Sequence, residues 1–112
     1  MSVTIKPLVP AKYAENSQTT QYTAATGVRA IVDKATVTNI SGSSAVYSVN
    51  IVPNSGTVSD ANALIKSRAI AAGECYTCPE LVGQIIEPGG FISTLAGTAS
   101  ALSIRISGRE VT

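Results

Sequence analysis

Hydrophobic and polar positions alternate with a period of two through much of the chain. The alternation is clear over Ala35-Thr36-Val37-Thr38-Asn39, over Tyr47-Ser48-Val49-Asn50-Ile51 and over Leu102-Ser103-Ile104-Arg105-Ile106-Ser107. Successive side chains of an extended backbone point to opposite faces, so each run predicts a strand with one apolar and one polar face. In the last of them Leu102, Ile104 and Ile106 are expected to face a core, and Ser103, Arg105 and Ser107 to face water or a partner. Abundant Thr, Val and Ile agree with this, because β-branched side chains suit a pleated, half-buried surface. Turn signals separate the runs: Thr26-Gly27, Ser41-Gly42-Ser43-Ser44, Pro53-Asn54-Ser55-Gly56, Ala72-Gly73, Pro88-Gly89-Gly90 and Ala96-Gly97-Thr98.

The spacing predicts strands over 18–25, 28–40, 45–53, 65–71, 74–78, 91–96 and 101–107, with a further short one over 109–112. About seven or eight short strands between turns make two packed sheets, an all-β, single-domain antiparallel β-sandwich. Helix is confined to one turn at Ser59-Asp60-Ala61-Asn62-Ala63-Leu64, capped by Ser59 or Asp60. A second compact turn is expected at Pro79-Glu80-Leu81-Val82-Gly83.

Residues 1–17 break the pattern. They carry Pro7 and Pro10 and no alternating run after Ile5. They are therefore expected to form an extended N-terminal arm, or a loosely attached first strand, beside a sandwich spanning 18–112. Val3, Ile5, Leu8, Val9 and Tyr13 would be wasted in solvent on such an arm and are the candidate interface with a partner.

A chain of 112 residues supports one core. Its 45% hydrophobic content suits a globular interior, but charged residues are only 13%, roughly half the usual share, and the net charge is +1. That argues against a nucleic-acid partner, since phosphate neutralisation needs a clustered excess of Lys and Arg. Arg29, Lys34, Lys66, Arg68, Arg105 and Arg109 are instead scattered through the chain. Tyr13, Tyr22, Tyr47, Tyr76 and Phe91 are too dispersed for base stacking, and Tyr47 and Phe91 are assigned to the core.

The chemistry on offer is sparse. There is no His, so the commonest general base and metal ligand are missing. The seven carboxylates are spread singly, and no Gly-x-Ser-x-Gly elbow occurs. Gly89-Gly90 lacks the Lys-Ser/Thr ending of a phosphate loop. Cys75-Tyr76-Thr77-Cys78 has redox spacing, but it falls in an expected strand, where residues three apart face opposite ways, and no second pair completes a zinc site. A non-enzymatic chain without cofactor or metal is expected. The start, Met1 to Pro7, has no signal-peptide features, and no apolar run approaches the about 20 residues of a membrane span. The expectation is a soluble protein made in a cytosol, without a membrane partner, for which the Asn39-Ile40-Ser41 glycosylation pattern has no consequence.

The order of segments carries more information than any one of them. Thr19-Thr20-Gln21-Tyr22-Thr23, Gly27-Val28-Arg29-Ala30, Ala35-Thr36-Val37-Thr38-Asn39, Val52-Pro53 and Asp60-Ala61-Asn62 come first. Leu64-Ile65, Ala72-Gly73-Glu74, Pro79-Glu80-Leu81-Val82-Gly83, Glu87-Pro88-Gly89, Ile92-Ser93 and Ile104-Arg105-Ile106-Ser107-Gly108 follow. Over residues 18–112 this series resembles the short, jelly-roll-like β-sandwich proteins encoded among the virion genes of tailed bacteriophages. The resemblance implies a non-catalytic structural part of the virion, made in the host cytoplasm. It favours a cement or decoration protein on the capsid surface, a homo-oligomer with the trimer favoured, bound to the major capsid protein. Neck, tail and fibre-attachment parts of similar size are the alternative location. A carbohydrate-binding module is a third reading, since sandwiches of this size bind sugars. Against it stand the absence of Trp and the few Tyr available to stack on a sugar ring.

Overall fold

The structure, a computed structural model, describes residues 2–112. Nine strands follow one another: β1 (Val3–Tyr13), β2 (Thr19–Thr23), β3 (Arg29–Asn39), β4 (Ala45–Val52), β5 (Ala63–Ile70), β6 (Cys75–Tyr76), β7 (Ile85–Ile86), β8 (Phe91–Ala96) and β9 (Leu102–Val111). A single 3-10 turn, Asp60–Asn62, precedes β5 and has Ser59 at its N-cap. One sheet has the order β1-β9-β3-β6, with β7 also beside β3, and the other has the order β2-β8-β4-β5.

Every pairing is antiparallel; β4 with β5, β3 with β6 and β7, β2 with β8 and β1 with β9 are nested, and β3 with β9 and β4 with β8 join these rungs into the two sheets. The chain is thus one long ribbon wound so that successive rungs fall in alternate sheets, which is jelly-roll winding. Between the sheets lie Tyr47, Ile70, Leu81, Ile86, Ile92, Leu102, Ile104 and Ile106, all essentially without solvent contact. The inward set of 102–106 is the one the alternation predicts. Phe91 is a correction: it is half-buried on the outer face of its sheet, because β8 turns Ile92, Thr94 and Ala96 inward.

The N-terminal residues correct the sequence reading more substantially. Residues 3–13 are an edge strand of the sandwich, paired with β9 from Val3 opposite Val111 to Tyr13 opposite Ser103. They are no arm. Ser2 and Thr112 exchange both backbone hydrogen bonds, at 3.1 and 2.9 Å. In an antiparallel ladder the bonded pairs recur every second residue, so Thr4 and Lys6 also bond to β9, while Val3, Ile5 and Pro7 turn their backbone groups away. Pro7 therefore lacks an N–H at a position where β9 offers no acceptor. The prolines that read as breakers mark an edge. Two shifts of register, between Pro7 and Val9 and between Val9 and Lys12, erase the period-two signal.

Gly108 explains why the expected strands 101–107 and 109–112 are one strand. It lies inside β9, opposite Lys6 on β1 and Val32 on β3, where both neighbours have register shifts. A Cβ built there would overlap the Ile31 carbonyl and lie 2.9 Å from Leu8 Cδ1. The obstruction is backbone and cannot rotate away. Gly108→Ala is therefore expected to lower stability by about 1–3 kcal/mol. In Gly97→Ala the added methyl meets only the Val46 side chain, which can move, so the loss should be smaller. Denaturant midpoints of the two variants check this order.

Asn39, at the end of β3, ties the two sheets together from a position with 0% exposure. Its Nδ2 donates to the Ser43 carbonyl at 2.9 Å and the Ile70 carbonyl at 2.8 Å, and its Oδ1 accepts from Ser41 N at 2.9 Å and Ser41 Oγ at 2.7 Å. Its backbone bonds to the 71–74 turn, through Glu74 O and Gly73 N, each at 2.9 Å. One side chain holds the turn after β3 and the end of β5. The amide of the Asn-Ile-Ser pattern is thus committed inside the protein.

Candidate functional site

The candidate interface residues all lie on β1, and the strand divides them. Leu8 and Val9 are 4% and 1% exposed and belong to the core, so they cannot meet a partner. The register shift after Pro7 is what turns both inward. Val3, Ile5 and Tyr13 are 53%, 82% and 52% exposed. Val3 and Ile5 flank the free edge, whereas Tyr13 stands at the far end, where Ala11, Lys12, Tyr13, Ile40 and Ser103 line a shallow recess of about 360 Å³.

The two outer sheet faces differ. On the β1-β9-β3 side, Thr36, Thr38, Ser103, Ser107, Lys34 and Arg105 form an open polar surface. On the other side the 53–62 loop folds back over its own sheet. Asn50 Nδ2 donates to Ser59 O at 2.9 Å and to Asn62 Oδ1 at 2.7 Å, and Asn62 Nδ2 donates to Thr57 O at 2.9 Å. Ser48 and Asn50, polar positions in the alternating run of β4, are consequently buried. Between loop and sheet runs a polar cleft of about 210 Å³, lined by Gln18, Ser48, Asn50, Asp60, Lys66 and Ser67 among others. Several of its groups bond to one another or to the adjoining backbone: Lys66 to Asp60 at 2.7 Å, Ser67 N to Ser48 Oγ at 2.8 Å, Gln18 Nε2 to Ser93 Oγ at 2.8 Å. A groove of about 350 Å³ at the sandwich end passes Ile51, Leu64, Gln84, Ile85 and Glu87.

Every carboxylate has a partner within the chain. Asp33 holds Arg109 at 2.9 Å, Glu87 holds Arg29 at 2.8 Å, Asp60 holds Lys66, and Glu15 takes Lys12 and Gln21 at 2.8 Å each. Glu110 accepts from the Tyr22 hydroxyl and faces Lys6 at 3.5 Å, which links β1, β9 and the opposite sheet's β2. Glu80 accepts from the Tyr76 hydroxyl at 2.7 Å, and Glu74 from Ala71 N at 2.9 Å. The hydrogen bonds from Lys12 and Gln21 hold Glu15 below the usual carboxylate range, and Lys66 and Tyr76 do the same for Asp60 and Glu80. These carboxylates sit in ordinary ion pairs and hydrogen bonds on a surface. No group of three or more Cys, Asp or Glu able to hold a metal converges among the described residues. The basic residues are equally dispersed, and Arg68 stacks 3.8 Å above the Tyr76 ring.

The thiols part company. Cys75 is exposed beside Thr38, while Cys78, past the end of β6, is buried. Burial, with Glu80 adding to it, pushes the Cys78 thiol up to about 12. A thiol that stays protonated at neutral pH is a poor nucleophile. Alkylation of the native protein is expected to modify Cys75 alone, with Cys78 reacting only after denaturation. Mass spectrometry of the labelled chain counts the two.

No protein-family model, no curated protein and no solved structure matches the chain.

Proposed function

We propose that this jelly-roll is a non-enzymatic structural protein of a tailed-bacteriophage virion, a cement or decoration subunit that binds the capsid surface and self-associates there. The observation that carries the reading is the distribution of side-chain chemistry. The carboxylates, the main candidates for acid–base work, are each engaged by a partner in the same chain. Meanwhile Val3 and Ile5 stay exposed on the edge strand β1, Tyr13 stays exposed at its far end beside Ile40, and Ile85 is exposed across the same sheet. A molecule with little chemistry to perform and faces suited to contact is fitted for assembly. The resemblance of residues 18–112 to small virion sandwiches supports the same reading. In a shell of many copies, weak contacts gain strength from repetition.

Electron cryo-microscopy of virions from the source phage tests the assignment. Copies of this chain on the capsid surface are the expected result. Copies at the neck or tail would move the protein to an adaptor role, and absence from the particle would overturn the proposal. Binding to a glycan array by a protein absent from particles would favour the sugar-binding alternative.

A further inference from the structure

The free edge of β1 is built differently from the other edges of the molecule. The β5 edge carries Lys66 and Arg68 and is kinked at Ser67, whose φ is +49°. The β2 edge has five residues with a register shift between Thr20 and Tyr22, and β6 and β7 have two residues each. Charge, proline, irregularity and brevity are the devices that keep sheet edges from pairing with other chains. The stretch Val3 to Pro7 has Pro7 only at its end and its one charge, Lys6, paired with Glu110, and from Val3 to Ile5 it carries neither charge nor irregularity. Its ladder with β9 is unbroken, its outward-bonding residues Val3, Ile5 and Pro7 are all apolar, and Ile5 is the most exposed large hydrophobic residue among those described.

We propose that this stretch pairs with the same stretch of a second copy, antiparallel about a two-fold axis through Ile5. The pairing makes one continuous sheet from two five-stranded ones. The phase set by Ser2 and Thr112 leaves the backbone groups of Val3, Ile5 and Pro7 pointing outward. About that axis each Ile5 N–H donates to the other copy's Ile5 carbonyl, and each Val3 N–H donates to the other copy's Pro7 carbonyl. Pro7, which can accept but not donate, ends the pairing. The side chains match as well, Ile5 against Ile5 and Val3 against Pro7.

Charge allows a second copy rather than requiring a complementary partner. The charges flanking the edge are neutralised within each chain, Lys6 by Glu110 and Arg109 by Asp33. Two copies therefore meet without unpaired like charges, and a net charge of +1 gives little repulsion at longer range. The inference rests on the geometry of the edge and not on the virion assignment. Its test uses the isolated protein, so failure of one leaves the other standing.

The experiment is sedimentation of the full chain over a range of concentrations, with cross-linking to report the register. A monomer–dimer equilibrium is expected for the native protein. Ile5→Lys, at a site 82% exposed, is expected to keep the melting temperature. It should weaken dimerisation by about tenfold or more, because it sets like charges directly opposite one another. In a Cys75→Ser background, Ile5→Cys is expected to form a disulfide dimer on oxidation, since residues opposite in a bonded pair lie about 5.5 Å apart at Cα, within disulfide reach. Val3→Cys in the same background should not, because four residues of offset separate the two copies' sites by about 14 Å. Four outcomes overturn the proposal: a monomer at all concentrations, a trimer, undiminished dimerisation of Ile5→Lys, or cross-linking of Val3→Cys as ready as that of Ile5→Cys.

Discussion

Asn39→Asp is expected to destabilise the protein by about 3–5 kcal/mol at neutral pH, although it changes a single nitrogen to oxygen. The Nδ2 atom that is lost donates to the carbonyls of Ser43 and Ile70 from a position with no solvent contact. A carboxylate oxygen there faces two carbonyl oxygens and has no cation to meet it. The group then prefers to stay protonated, so its pKa is higher in the folded chain than in the unfolded one. Above the unfolded value the native state holds more protons, and the variant loses stability as pH rises. Its deficit against the native chain should therefore shrink on going from pH 7 to pH 4. Urea denaturation at both values measures the loss and its slope. A loss below about 1 kcal/mol would mean that the two carbonyls find other donors.

Ile104→Asp is expected to cost as much or more, about 4 kcal/mol, because an unpaired charge enters the space between the sheets. Ile104 lies on the central strand β9, opposite Val37 on β3 and Lys12 on β1, and is fully buried. Its neighbour Ser103 faces outward between Thr38 and Tyr13. Ser103→Asp should change stability by no more than about 0.5 kcal/mol, as is usual for surface substitutions. The pair tests the register directly, since a slip of one residue would exchange the two results. Thermal and chemical denaturation of both variants decides it.

The two predictions sit at opposite ends of what the sequence discloses. The inward set Leu102, Ile104 and Ile106 is visible because β9 is regular and its outer face meets water, so burial and period coincide. The role of Asn39 is invisible, because its partners Ser41, Ser43 and Ile70 come from a turn and a distant strand. In the sequence it reads as one more polar position, or as a glycosylation pattern. Ser48 and Asn50 mislead for a related reason: their alternation promises a wet face, and a loop from the same sheet dries it. The five residues expected at an interface, Val3, Ile5, Leu8, Val9 and Tyr13, all fall on β1. Their division into two buried and three exposed positions depends on register shifts that no local pattern records.

Composition and period by themselves determined that this protein is all-β, that it has one core, that its helix is a single turn, and which residues of the regular strands face inward. Those properties follow from the two-residue repeat of an extended chain and from turn chemistry, both local. Only the tertiary structure decided that residues 3–13 close the sandwich. An edge strand gains its bonds from β9, about a hundred residues away in the chain, and the fixed φ and missing N–H of Pro7 have the same local appearance in a free arm as in an edge. It likewise decided which edge is left least guarded, because an edge exists only once the strands have been ordered into sheets.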